Sequence, residues 1–75
     1  MNVTIANDDP FANNLRVTDV NAGNIMIYNG TIDAHGELNL AICADGAGYG
    51  NIITYQDGNP GVGRSLLSDG ERISL

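Results

Sequence analysis

The sequence contains one histidine and one cysteine, two side-chain types that can pair as base and nucleophile in catalysis. His35 lies in the turn-like segment 33–36, and Cys43 follows near the far end of the next predicted strand. A nucleophile, its base and the group that orients the base must lie within hydrogen-bond reach of one another. His35 is therefore interpreted as a solvated turn residue and Cys43 as a small residue in a packed layer. We expect no catalytic residues and no enzyme.

Carboxylates are the other reactive groups, and with asparagine they recur at a fixed interval. Asp or Asn occupies every twelfth position, at Asp9, Asn21, Asp33, Asp45, Asp57 and Asp69. Asp, Asn and Gly tolerate the left-handed backbone of tight turns, and the last three markers directly precede glycine. We interpret all six as turn formers. Because no segment matches an EF-hand or a glycine-rich calcium repeat, and one histidine cannot form a zinc site, we predict no metal site.

Two glycine-rich segments, 45–50 and 57–63, invite a nucleotide interpretation. A dinucleotide-binding loop requires a helix directly after its glycines, whereas the apolar residues 52–55 favour a strand. We therefore predict no bound cofactor. The two segments are either plain connections or a contact surface for a protein or a sugar. The residues predicted to bind a partner are Tyr49, Tyr55, Asp57, Asn59 and Arg64.

The elements that position these residues are short strands, because apolar residues recur at period two and never at helical spacing. The sequence predicts an all-β fold, an antiparallel meander of six or seven short strands that forms a small barrel or sandwich. Residues 1–75 make a single domain. The predicted strands cover residues 2–6, 13–19, 24–32, 37–44, 51–56, 63–68 and 71–75.

Three local features refine this prediction. Residues 25–28 and 52–55 are apolar on both faces, which is typical of strands that are central or are covered on their second face by a neighbour. Asn29-Gly30 is either a second hairpin turn or a bulge in one long strand, and the twelve-residue spacing favours the bulge. Asp69-Gly70 predicts a C-terminal hairpin that pairs Leu66 with Ile73 and buries both.

The composition restricts the possible partners. The net charge is −6 and the chain contains no lysine, so it lacks the basic surface that direct binding to nucleic acid or an anionic membrane requires. Chains of this size usually gain stability from disulfides, metals or association. One cysteine cannot form an internal disulfide, so a protein partner or a homo-oligomer is expected. No signal peptide or membrane-spanning segment is visible, which predicts a cytoplasmic or virion location.

These observations favour a non-enzymatic structural protein that docks on a larger assembly. Its most concrete form is a small decoration protein on a phage capsid. One alternative is an acidic, phage-encoded inhibitor that blocks a basic groove of a host defence protein. Another is a small carbohydrate-binding module that uses its tyrosines as stacking platforms.

Overall fold

The computed structural model describes all residues from Met1 to Leu75 and contains strands, turns and no helix. Two sheets pack face to face as a small β-sandwich, without a closed barrel. The predicted all-β class is therefore confirmed. No helix is present that is long and apolar enough to cross a membrane. The strands are β1 Asn2–Ala6, β2 Asn13–Asp19, β3 Ile25–Ile32, β4 Glu37–Ala41, β5 Gly50–Gln56, β6 Val62–Leu67 and β7 Arg72–Ser74.

The six connections between strands each contain one of the Asp or Asn residues of the twelve-residue series. Several of these side chains close the turns. Asp45 Oδ1 accepts the backbone N–H groups of Ala47 at 2.9 Å and of Tyr49 at 3.0 Å. Asp69 Oδ1 accepts the backbone N–H of Asn2 at 2.7 Å and so ties a turn to the first strand. The prediction that the series marks corners between strands is confirmed.

The strand order departs from a meander. One sheet has the order β4-β1-β7, in which β1 pairs antiparallel with β4 and parallel with β7. The other has the order β3-β2-β5-β6, with antiparallel pairs throughout. β1 therefore pairs with two strands that are distant from it in the sequence. Strand pairings of this kind leave no trace in local turn chemistry.

The predicted C-terminal hairpin is wrong. A turn forms at Asp69-Gly70, but only Gly70 has a positive φ, whereas the type I′ turn of a two-residue hairpin requires a positive φ at both residues. The N–H of Glu71 donates to Ser68 O at 3.1 Å, and Gly70 has a φ of 82°. The chain then crosses to the other sheet, where Ile73 pairs with Ile5 of β1. Pairing with β1 places Ile73 in the core between the sheets, where it is buried.

Leu66 is not a core residue, contrary to the sequence-based prediction. The register between β5 and β6 shifts between Gly50 and Ile52, so β6 carries one extra residue. Leu66 lies at this bulge with a φ of 57°, and its side chain is 70% exposed. A bulge reverses the side-chain parity of the strand. Leu67 consequently enters the core in its place.

β3 is one continuous strand, so Asn29-Gly30 is not a turn. A bulge does occur in β3, but at Ile27, where the register with β2 shifts between Val17 and Thr18. The prediction that residues 25–28 form a central or doubly covered strand is wrong, because β3 lies at the edge of its sheet and Ile25 and Met26 are exposed. For residues 52–55 the same prediction is confirmed, since β5 lies between β2 and β6.

The core is small and both sheets contribute to it. The surface area of 4168 Å² is close to the value of about 4400 Å² expected for a compact monomer of this mass. Association would therefore add to a fold that is already compact. The core cluster consists of Val3, Ile5, Leu15, Val17, Ile32, Ile42, Ile52, Leu67 and Ile73.

Candidate functional site

The outer face of the four-stranded sheet carries a shallow cleft, with a volume of about 140 Å³. The cleft is open to solvent. We call it the Arg16 cleft, after the cation at its centre. It is lined by Asn14, Leu15, Arg16, Asn29, Tyr55, Asp57 and Gly58.

Side chains along β2 point alternately into the core and out to solvent, and this alternation determines which of them reach the cleft. Leu15 and Val17 point into the core, so Asn14 and Arg16 point outwards. Arg16 lies opposite Tyr55 of β5 on one side and opposite Asn29 of β3 on the other. The cleft is therefore assembled from three strands, and its central residue belongs to the middle one.

Arg16 is held by an aromatic ring and not by a carboxylate. Its guanidinium carbon lies 4.8 Å from the centroid of the Tyr55 ring, within the range of a cation–π interaction. Both ion pairs of the molecule belong to another arginine, Arg72, which contacts Asp8 at 2.9 Å and Glu37 at 3.0 Å. Arg16 thus presents an unneutralised charge on a protein whose net charge is −6.

Asp57 closes one end of the cleft through a two-way contact with β2. Its N–H donates to Asn14 O at 3.0 Å, and its Oδ1 accepts the N–H of Asn14 at 2.8 Å. The second carboxylate oxygen has no partner within the chain. Asp57 has a φ of 49°, a left-handed conformation that Asp adopts more readily than most residues. The exposed corner is therefore fixed in place while one oxygen stays free.

Of the predicted partner-binding residues, the structure brings Tyr55 and Asp57 together in the cleft. Asn59 lies in the same β5–β6 connection but does not line the cleft. Tyr49 lies at the opposite end of β5. Arg64 lies on β6, and its Nη1 donates to Ser74 O of β7 at 3.4 Å, so it bridges the two sheets. The predicted set is thus divided among four places.

Sequence reasoning missed the residues of the cleft on β2 and β3. The alternation of β2 shows that Asn14 and Arg16 share a face, and this could have been read from the sequence. Nothing in the sequence shows that β5 lies beside β2, since the paired residues Arg16 and Tyr55 are separated by two strands and three connections. The position of Asn29 opposite Arg16 also depends on the bulge at Ile27.

His35 and Cys43 lie beyond opposite ends of β4 and are too far apart to act together. His35 lies in the β3–β4 connection, and its N–H donates to Asp9 O of the β1–β2 connection at 3.2 Å. Cys43 is exposed, which contradicts its predicted place in a packed layer, because β4 already ends at Ala41. No group of three or more His, Cys, Asp or Glu side chains is placed to hold a metal ion.

Five of the nine carboxylates lie at the end of the sandwich formed by the β1–β2, β3–β4 and β5–β6 connections. Arg72 neutralises part of this charge by pairing with two of them. Its hydrogen bond, with a smaller contribution from Ser74, lowers the pKa of Asp8 below the usual value of 3.8. We call this region the acidic end, and it comprises Asp8, Asp9, Asp33, Glu37 and Asp57.

Comparison with known proteins gave no relative. A scan against protein-family models, a search of curated proteins and a search of solved structures each returned no match. The functional proposal therefore depends on the surfaces of this molecule alone.

Proposed function

We propose that the chain is a non-enzymatic module that docks on a larger protein assembly by adding its β3 edge to an extended segment of the partner. Its most concrete form is a decoration protein on a phage capsid. The supporting observation is a long edge strand on which backbone groups without a strand partner lie beside exposed apolar side chains. β3 has eight residues and is the longest strand of the molecule.

The hydrogen bonds of β2 show which groups of β3 are free. The N–H of Asp57 donates to Asn14 O, so the even-numbered residues of β2 bond towards β5 and the odd-numbered ones towards β3. Asn29 and Thr31 lie opposite even-numbered residues of β2. Their backbone groups therefore point away from the sheet, where a partner strand can pair with them.

One of these free groups is already capped. The Tyr28 hydroxyl donates to the carbonyl oxygen of Thr31 at 3.0 Å. Farther towards the start of the strand, Ile25 is 57% exposed and Met26 is 52% exposed. The chain contains no lysine, the residue that most often protects an edge strand from pairing. Met26 lies opposite the even-numbered Thr18, so its backbone groups also point away from the sheet, and the first half of β3 is the more open part of the edge.

The other edges are less suited to strand addition. β7 has three residues, and β6 is interrupted by the bulge at Leu66. β4 has five residues, and its first one, Glu37, is engaged by Arg72. Length and exposed apolar area together favour β3.

Lysine substitutions on the two edges of the same sheet test this proposal. We expect the native chain to co-sediment with a large particle from its source, and the double variant Ile25→Lys/Met26→Lys to remain unbound. Val62→Lys is the matched control, because Val62 is an apolar residue of the β6 edge and is 50% exposed. Native protein that sediments only as a free small chain contradicts the proposal, and so does equal loss of docking in the Val62 control.

The acidic end supports a second candidate, an inhibitor that occupies a basic groove. Clustering of four carboxylates would favour this hypothesis, and they share one end of the sandwich, namely Asp8, Asp9, Asp33 and Asp57. Binding of this type weakens steeply with salt. Docking through β3 should depend little on salt and should survive Asp33→Asn, whereas acidic mimicry should be weakened by both changes.

A further inference from the structure

We propose that the Arg16 cleft binds one neutral sugar unit through a pair of neighbouring hydroxyl groups. The cleft shares Asn29 with the β3 edge, but it uses the side chain of that residue, and the inference does not depend on the proposed docking. It follows from the charges, the free hydrogen-bonding atoms and the volume of the cleft.

The charges of the cleft favour a neutral ligand. Arg16 carries a positive charge with no carboxylate partner, and Asp57 carries a negative charge with one oxygen free. An anion would meet the Asp57 carboxylate, and a cation would meet the guanidinium. A hydroxyl group both donates and accepts, so it can satisfy either side chain without bringing an uncompensated charge.

The free atoms of the cleft include both donors and an acceptor, which matches neighbouring hydroxyls. The guanidinium offers a fork of N–H donors, and Asp57 offers its one free carboxylate oxygen as an acceptor. Asn14 uses its Oδ1 to accept the Thr31 hydroxyl at 3.4 Å, which leaves its Nδ2 donor available. The exposed amide of Asn29 supplies one more donor and one more acceptor on the other side of Arg16.

The volume restricts the ligand to a single unit. The cleft holds about 140 Å³, far less than the roughly 300–1,000 Å³ of pockets that enclose whole drug-sized ligands. It is also open on one side, so the rest of a longer chain can continue into solvent. A terminal sugar or one residue of a glycan fits this description.

The aromatic residue acts indirectly in this arrangement. Arg16 covers a face of the Tyr55 ring, so that face is not free to stack on a sugar. A Cβ atom on Gly61 would lie 2.6 Å from the Tyr55 ring, which shows how closely the ring packs on the backbone of the next connection. Tyr55 therefore positions the guanidinium, and the guanidinium contacts the ligand. This differs from the stacking role that the sequence predicts for the tyrosine.

Chemical-shift mapping on the full chain tests the inference. The probes are the methyl glycosides of glucose, galactose and mannose, with glucuronate and glucosamine as charged counterparts. We expect at least one neutral glycoside to shift the amide signals of Asn14, Arg16, Asn29 and Asp57, and to bind more tightly than both charged sugars.

Two variants connect the response to the cleft. Arg16→Ala should weaken binding about tenfold or more, because it removes hydrogen bonds from a charged group. Asp57→Asn keeps the acceptor for the Asn14 N–H but removes the charge, and should weaken binding about tenfold while the protein stays folded. Asn39→Ala, on the outer face of the other sheet, should leave the affinity unchanged.

Three results would overturn the inference. The first is the absence of shifts at the cleft residues with every neutral glycoside. The second is binding of glucuronate or glucosamine there as tight as that of the best neutral sugar. The third is an affinity that remains unchanged in the folded Arg16→Ala variant.

Discussion

Residues with a left-handed backbone conformation show how single positions shape the connections and bulges of this molecule. Four non-glycine residues have positive φ, namely Asn24, His35, Asp57 and Leu66. Asn, Asp and His are the types that tolerate this conformation best, and the first three lie in connections. Asp57 additionally uses its side chain to hold the N–H of Asn14. Local turn chemistry and a long-range contact therefore meet in one residue.

Substitutions at Asp57 separate these two roles. Asp57→Asn keeps both the tolerated backbone and the acceptor, so we expect a loss of less than about 0.5 kcal/mol in the free energy of unfolding. Asp57→Ala loses the hydrogen bond and is strained at positive φ, so we expect a loss of about 2 kcal/mol. Urea denaturation of both variants measures the difference. Equal stability of the two would show that the contact with Asn14 contributes nothing.

The ion pair of Asp8 with Arg72 predicts a dependence on pH. The hydrogen bond from Arg72 lowers the pKa of Asp8 in the folded state below its usual value of 3.8. A lowered folded pKa means that the contribution to stability is fully present above the unfolded value and is lost as the pH falls through the folded value. We therefore expect the stability difference between the native chain and Asp8→Asn to shrink as the pH falls below 3.8 and to vanish once Asp8 is protonated in the folded state.

Urea midpoints measured across the acid range give this difference. Because both partners are exposed, the difference should be small at neutral pH and should shrink further at high salt. A difference that grows as the pH falls would contradict the assignment.

At the scale of elements, bulges decide which side chains are buried. Period two predicts the strands well, but one extra residue reverses the parity for the rest of a strand. The bulge in β6 exposes Leu66 and buries Leu67, and the bulge in β3 lies at Ile27 and not at Asn29-Gly30. Such positions follow from pairing with a neighbouring strand, which the local sequence does not specify.

Alanine substitutions at the two leucines test the bulge in β6. Leu67→Ala should destabilise the protein by about 2–5 kcal/mol, because it leaves a cavity in the core. Leu66→Ala should change the stability by less than about 0.5 kcal/mol, since it removes an exposed side chain. Thermal and urea unfolding measure both effects. The reverse order of the two losses would restore the hairpin pairing predicted from Asp69-Gly70.

At the scale of the whole molecule, the sandwich depends on close packing where the two sheets meet. Gly50 begins β5 at this place. A Cβ atom on Gly50 would lie 2.5 Å from the Ile42 side chain and 3.3 Å from those of Leu67 and Met1. A Cβ atom on Gly63 of β6 would meet open space, and the φ of Gly63 is not positive. Within one sheet, Gly50 therefore has no room for a larger side chain, whereas Gly63 does.

Alanine at each glycine makes this contrast measurable. Gly50→Ala should destabilise the protein by about 1–3 kcal/mol through overpacking. Gly63→Ala should be neutral or stabilising by up to about 1 kcal/mol, because alanine restricts the unfolded chain. The free energy of unfolding in urea provides the measurement. A neutral Gly50→Ala would mean that the sheets pack less tightly at this corner than the structure shows.

The sequence by itself determined the strands, the corners and the all-β class, because the signals for them act within a few positions of the chain. Turn chemistry at residues such as Asp45 and Asp69 defines the corners. The alternation of buried residues such as Leu15 and Val17 with exposed ones defines the strands. Only the tertiary structure decided the strand order, the burial of Leu67 and the meeting of Arg16 with Tyr55. These outcomes depend on which strands become neighbours, and that choice is made by burying one common core between two sheets. The candidate site was therefore predictable in part, as far as Tyr55 and Asp57, and its centre was not.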